Sequence, residues 1–320
     1  MIDFRYHLVS LVSVFLALAV GIVLGAGPLK EPIGESLQSQ VDALRADRDD
    51  LRTKIDAANG NIDKQNDFVT SAAPELIGDT LKGENVSIIG APQADPEQVE
   101  EVTNRIKEAG GTIGGDVSFV DNTLSLADSA DFLAGLRDIV PNLPKDDSTA
   151  LRAALVIALT GNASMLEDSK NRKAAVKKSS ALFDAFVDAG RLRTDTDHNP
   201  TQLFVVIDDE NSTLAEDTEP SPEATDDKAN RTLITDFINS LTTESESVVV
   251  AGDAGSAQTG LVSILRTEKS RASTVDGLGL GAGAVITVRA LAAGEAGTHG
   301  HYGFADDSEQ IMPGKPKEKD

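Results

Sequence analysis

Val86-Ser87-Ile88-Ile89-Gly90-Ala91-Pro92 opens the part of the chain whose pattern decides the fold. The run carries no charge, is rich in β-branched residues and stops at a glycine and a proline, the pattern of a strand buried on both faces. Residues 96–109 follow as an amphipathic helix, with Pro96 at its start and Gly110-Gly111 beyond its end. The alternation then repeats. Residues 117–120, 203–207 and 248–251 read as further short apolar strands, and residues 129–140, 169–189, 227–242, 256–266 and 285–293 as helices. The apolar run 149–160 fits a helix, a strand or a helix passing into a strand. Strands that alternate with helices and are apolar throughout predict an α/β fold: a Rossmann-like three-layer domain with a mainly parallel sheet, over residues 80–304.

Toward the N-terminus the pattern changes twice. From Leu8 to Leu29 about 22 residues pass without Asp, Glu, Lys or Arg, enough for a transmembrane helix to cross a hydrocarbon core of ~30 Å. Signal-peptide apolar regions run about 7 to 15 residues, and the Ala-x-Ala at Ala17 to Ala19 lies in mid-run, so residues 1–34 are expected to be an uncleaved membrane anchor rather than a leader or a buried core helix. Arg5 before the span places the N-terminus in the cytoplasm and the bulk of the chain outside it. Ser13, Ala17, Gly21 and Gly25 recur at every fourth position, a stripe of small side chains suited to close helix packing in lipid.

Beyond Pro28 and Pro32, the residues Leu37, Val41, Leu44, Leu51, Ile55, Ile62 and Val69 recur at spacings of three and four. Arg48, Ala58 and Gln65 fill the remaining positions of a heptad seam, and charged residues such as Asp42, Arg45, Asp47, Arg52 and Lys54 lie between. Residues 35–75 are therefore expected to form a short coiled-coil stalk, with an amphipathic helix lying on the globular domain as the alternative. Asn59-Gly60-Asn61 is expected to interrupt the helix, because Gly costs ~1 kcal/mol in a helix interior. An association seam in lipid beside one in water predicts a homo-oligomer.

The chain has 320 residues, with 29 Lys and Arg against 52 Asp and Glu, a net charge of -23 that disfavours nucleic-acid phosphates and anionic lipid surfaces as partners. Residues 208–227 hold much of this acidity with Pro220 and Pro222, and are expected to be a flexible, solvated insertion. Residues 305–320 are expected to be a disordered tail.

Motifs for chemistry are sparse. With no Cys there is no disulfide, no thiolate metal site and no cysteine nucleophile. The turn after Ile89 lacks the glycine fingerprint of dinucleotide binders, and Gly252-Asp253-Ala254-Gly255-Ser256 precedes a helix without a Walker lysine, so it reads as a plain strand-to-helix turn. Gly277, Gly279, Gly281 and Gly283 permit close backbone approach to a ligand or to another helix before the last helix, a weak signal by itself. His7, His198, His299 and His301 are the only histidines. None lies in a triad or zinc-protease motif, so no catalytic residue and no resident cofactor are expected. His299 and His301 are the one clustered pair and the candidate metal contacts. Imidazoles suit Cu(II), whereas a Cu(I) cage would need Cys or more than the three methionines present.

The start Met1-Ile2-Asp3-Phe4-Arg5-Tyr6-His7-Leu8-Val9-Ser10, the heptad segment, Ile88-Ile89-Gly90-Ala91-Pro92 and the late Gly300-His301-Tyr302-Gly303 resemble the actinobacterial copper transporter family over nearly the whole chain. The resemblance implies a channel-forming protein of the cell envelope that lowers intracellular copper and resides in the outer membrane. A β-barrel pore needs many alternating strands of about 9 to 11 residues, whereas this chain reads as one spanning helix and an α/β domain. A pore would then require several copies. The different-class alternatives are a non-catalytic anchored scaffold whose α/β domain binds an envelope partner protein, and an anchored α/β enzyme.

Overall fold

The computed structural model describes residues 4–26, 31–162, 172–208 and 222–314. It divides into two compact units, Met1–Lys64 and Gln65–Asp320.

The first unit holds helix α1 (Phe4–Ala26) and most of helix α2 (Glu31–Ile77). Within α1 the span Phe4–Gly25 has a mean hydropathy of 2.7 and none of it is buried. A helix of this length with apolar side chains on every face is stable only where the surroundings are apolar as well. The hydroxyl of Ser13 donates to the Val9 carbonyl at 2.8 Å, which satisfies it within the helix. In α2, Pro32 falls in the first turn, where a missing N–H costs nothing. The helix passes unbroken through Asn59-Gly60-Asn61, contrary to the expected interruption. One glycine's propensity cost is small beside the cooperativity of a 47-residue helix, whose surface also carries the Asp50–Lys54 ion pair at 2.8 Å.

The second unit is a seven-stranded sheet between two layers of helices. Its strands are β1 (Asn85–Gly90), β2 (Thr112–Phe119), β3 (Leu192–Arg193), β4 (Leu203–Ile207), β5 (Ser247–Ala251), β6 (Ser273–Val275) and β7 (His301–Tyr302), in the order β3-β2-β1-β4-β5-β6-β7. All neighbours are parallel except β2 and β3. Side chains alternate between the faces. Ile89, Phe204, Val206, Val248 and Val250 join one core with helices α4 (Ala130–Ile139), α5 (Asp147–Thr160), α6 (Arg172–Asp188), α7 (Pro222–Glu244) and α9 (Leu261–Thr267). Ile88, Val205, Ile207, Val249 and Ala251 join the other with α3 (Pro96–Glu108) and α10 (Gly281–Glu295). The mainly parallel three-layer α/β expectation is met.

Several details depart from the sequence reading. The ambiguous run 149–160 is helical, and from Ala153 to Thr160 every residue is buried, so that part lacks the polar stripe that marks a helix. The single helix expected over 256–266 is two, α8 (Ala254–Thr259) and α9, with Gly260 extended between them. The last turns of α2 belong to the α/β unit. There Val69, placed in the stalk seam by its spacing, packs beside Ala73 and Ile77 against the second core. Asn66 accepts from the Gly281 N–H at 3.0 Å and so caps α10, while Arg289 donates to the Leu76 carbonyl at 3.1 Å. Residues 305–314, expected to be disordered, are packed: Arg289 donates to the Pro313 carbonyl at 3.1 Å, and the Gly303 N–H donates to the Gln310 carbonyl at 3.1 Å. Residues 315–320 lie outside the described residues.

Candidate functional site

In doubly wound sheets ligands bind at the carboxyl ends of the strands, where the strand order reverses. Here the reversal falls between β1 and β4, because β2 lies on one side of β1 and β4 to β7 on the other. Asp208 follows β4 directly. The sequence reading placed it in the solvated acidic loop, but it is 3% exposed. Its carboxylate accepts from the Ser256 hydroxyl in a short hydrogen bond and from the Leu261 N–H at 2.8 Å, at the start of α9. Ser256 is held in turn by its own N–H, which donates to Asp253 at 2.9 Å. A side chain on Gly252 would stand 2.4 Å from the Ser256 Cβ, so the turn needs glycine there. The Asp208 carboxylate thus ties the end of β4 to Ser256 of this turn and to the first N–H of α9. The rest of the acidic segment, 209–221, lies outside the described residues, and α7 already begins at Pro222.

A cleft of about 680 Å³ opens beside this turn, lined by Asp253, Asp276, Gly277, Leu280, Phe304 and Asp306 among others. Its wall is tied by a buried ion pair. Arg266 and Asp276 have side chains 4% and 3% exposed and meet at 2.9 Å. Arg266 also donates to Thr274 Oγ1 at 3.0 Å, Asp307 at 2.6 Å and the Tyr302 carbonyl at 2.9 Å. Asp276 accepts from the Phe304 N–H at 2.5 Å and the Ser308 hydroxyl at 2.9 Å. One pair therefore fastens α9, β6 and the segment after β7, which is why residues 305–308 are ordered. A second cleft, about 510 Å³, lies at the ends of β1 and β2 and includes Asp116, Arg193 and Asp195. Burial, with Asp195 close by, pushes the Asp116 carboxyl up. Sequence reasoning missed Asp208, Arg266 and Asp276 as buried residues. The available signal was a carboxylate placed immediately after an apolar strand.

The histidines sit in separate environments. His198 stacks on Phe183 at 4.4 Å between ring centroids, and its Nε2 lies 3.2 Å from the Leu159 carbonyl. His301 Nδ1 lies 2.9 Å from Thr274 Oγ1. His299 Nδ1 is buried without a hydrogen-bond partner among the described residues. No group of three or more His, Asp or Glu among the described residues is arranged to hold a metal ion.

Burial holds all three imidazoles below their usual value, with Arg271 adding to the effect at His299; at His301 burial and Arg266 outweigh the opposite pull of Glu309 and Asp307. Below the unfolded-state value of ~6.5 the native state binds fewer protons than the unfolded chain. Stability is therefore fully present above about pH 6.5 and declines as the pH falls below it, by at most ~1.4 kcal/mol per pH unit at the well-buried His198 and by less at His299 and His301, where solvent screens the charge. The expected result is a Tm, followed by circular dichroism, that drops from about pH 7.5 to about pH 5.5, with a weaker drop in His198→Gln. A Tm independent of pH over that range would refute it.

Among the described residues the small-residue stripe is open: no atom of them lies within 4 Å of a Cβ placed on Gly21 or Gly25. The seam residues Leu37, Val41, Leu44, Leu51, Ile55 and Ile62 are likewise uncovered. Against known proteins, the model of the family described as "Copper transport outer membrane protein, MctB" matches residues 1–313. The chain belongs to the MctB family. The copper transporter MctB of Mycobacterium tuberculosis (strain ATCC 25618 / H37Rv) is 35% identical over 140 residues, which is 42% of this chain and 42% of that protein. The corresponding protein of Mycobacterium leprae (strain TN) is 33% identical over 132 residues, 38% of this chain and 39% of that one. The matched stretch thus spans less than half of these relatives. Membership places the chain in a family of membrane copper transport proteins rather than an enzyme class, and the apolar α1 fits membrane association.

Proposed function

We propose that this MctB-family chain takes part in copper efflux from the cell as a homo-oligomeric channel or channel component, held in the envelope by α1 with the α/β unit on the extracytoplasmic side. The observation that carries the reading is the family match over residues 1–313 together with an apolar helix that is unburied among the described residues. One helix encloses no pore, so conduction requires several copies, and the open stripe Ser13, Ala17, Gly21 and Gly25 is the surface along which α1 helices would pack. Copper is the cargo in this reading. His299, whose Nδ1 is unengaged, and His301 are the candidate contacts for the ion in passage.

Deleting the gene is expected to raise cell copper, measured by mass spectrometry of washed cells. Restoring the natural chain should return it to normal, while a chain carrying Gly21→Leu and Gly25→Leu should not. Normal copper content in the deletion strain would sink the proposal. Fractionation of inner from outer membrane, with an epitope tag after Asp320, tests whether the family's outer-membrane description applies to this chain.

A second reading is a non-catalytic anchored scaffold. It is favoured by the carboxyl edge of the sheet, where the carboxylates of Asp208 and Asp276 are engaged by Ser256, Leu261 and Arg266 of the same chain. A soluble fragment from Glu35 onward that retains an envelope partner protein, in cells whose copper is unchanged by the deletion, would support it over the channel.

A further inference from the structure

We infer that a second copy of the chain covers the apolar seam of α2, parallel and in register, with Asp47 of each copy paired to Arg52 of the other. This deepens the oligomeric reading above and rests on it, adding the number of strands in each stalk, their direction and the residues that select them; a pore would then be built from several such pairs.

Leu37, Val41, Leu44, Leu51, Ile55 and Ile62 are between 40% and 68% exposed along one side of α2. With Val41, Arg48, Ile55 and Ile62 at the a positions and Leu37, Leu44, Leu51 and Ala58 at d, three of the four a residues are β-branched and three of the four d residues are leucine, the combination that favours two parallel strands. Arg48 is the polar a residue. Its guanidinium turns aside to Asp49, at 2.7 Å and 3.1 Å, so two such side chains can share a layer. Slipping one copy by a heptad would set Arg48 against Val41 or Ile55, which disfavours other registers.

The charges beside the seam point the same way. Among the e and g positions the charged residues are Arg45, Asp47, Arg52 and Lys54. Arg45 is engaged within its own chain by Asp42 at 3.4 Å, and Lys54 by Asp50 at 2.8 Å. Asp47 and Arg52 have no partner within the chain among the described residues. In a parallel in-register pair a g residue faces the e residue five positions on in the other strand, and that relation joins Asp47 to Arg52 twice, once on each side. No g-to-e' contact in this arrangement brings like charges together. An antiparallel pair sets e against e', crowding Arg45 and Arg52 together.

The absence of Cys allows a clean test on the full chain in its own membrane. Leu37→Cys and Leu51→Cys, introduced one at a time, are each expected to oxidise to a disulfide-linked dimer, whereas Thr53→Cys on the outer face is not. Asp47→Arg in the Leu51→Cys background should lower the linked fraction roughly fivefold or more, and adding Arg52→Asp should restore it. Linking at Thr53 equal to that at Leu51, linking at Leu51 without Leu37, or a yield that stops at about two-thirds, as three strands would give, each overturns the inference. Copper content in the same cells separates the two claims. Copper handling that persists in cells whose chains do not link defeats the inference alone. Linked chains with copper unchanged by gene deletion defeat the transport proposal and leave the paired stalk standing.

Discussion

Asp276→Ala is expected to lower the unfolding free energy by about 3–5 kcal/mol, the cost of leaving a buried charge without its counterion. Arg266 would keep Asp307, but that carboxylate has a side chain 52% exposed and cannot replace a partner that is 3% exposed. The loss reaches beyond the pair, since the Phe304 N–H and the Ser308 hydroxyl also lose their acceptor. Urea unfolding of the detergent-solubilised chain, followed by far-ultraviolet circular dichroism, measures it. Tyr302, one of only two tyrosines in a chain without Trp, lies beside the pair and gives a local near-ultraviolet signal. Asp307→Ala should cost less than about 1 kcal/mol, as expected for a partly exposed ion pair. Equal losses in the two variants would show that the buried pair is not the fastening point.

Gly283→Ala is expected to cost about 1–3 kcal/mol or more, because its Cβ has nowhere to go. It would stand 2.3 Å from the Gly277 carbonyl oxygen and 2.7 Å from the Leu278 Cα, all backbone that no side-chain rotation can clear. Gly279→Ala is the internal comparison. Nothing lies within 4 Å of its Cβ position, and its φ is not in the left-handed range, so its effect should stay within about 0.5 kcal/mol. Two alanines four residues apart in one glycine-rich turn should thus differ severalfold in urea midpoint. Similar midpoints would refute the close-packed account of the turn. The glycine series that looked like a weak ligand signal in the sequence is, at Gly283, the contact of α10 with the backbone that leads into it.

The strands legible in the sequence are the long central ones. Leu203–Ile207 and Ser247–Ala251 are buried on both faces and read as continuous apolar runs. The edge strands β3 and β7 have two residues each and β6, the neighbour of β7, has three, too few for any period to show. Val69 was assigned to the stalk seam because a heptad repeat and a helix lying on a core share spacings of three and four. Only the tertiary contacts of Ala73 and Ile77 reveal where one gives way to the other. The carboxyl edge was the least legible. Asp208 and Asp276 look like any surface acid until the folded chain brings Ser256 and Arg266 to them, from 48 and 10 residues away. The membrane helix and the seam of α2 were legible because their apolar side chains are exposed among the described residues, so composition and spacing alone describe them.

The carboxylate of Asp208 has a consequence for any molecule that approaches the strand ends. A group tethered to its own receptor competes with free solutes at an effective concentration of at least millimolar order, and a rigidly placed one competes more strongly still. A phosphate or carboxylate arriving from solution must out-compete a rival that never diffuses away. At the end of β4, the Ser256 hydroxyl and the Leu261 N–H meet such a solute with their bonds already made.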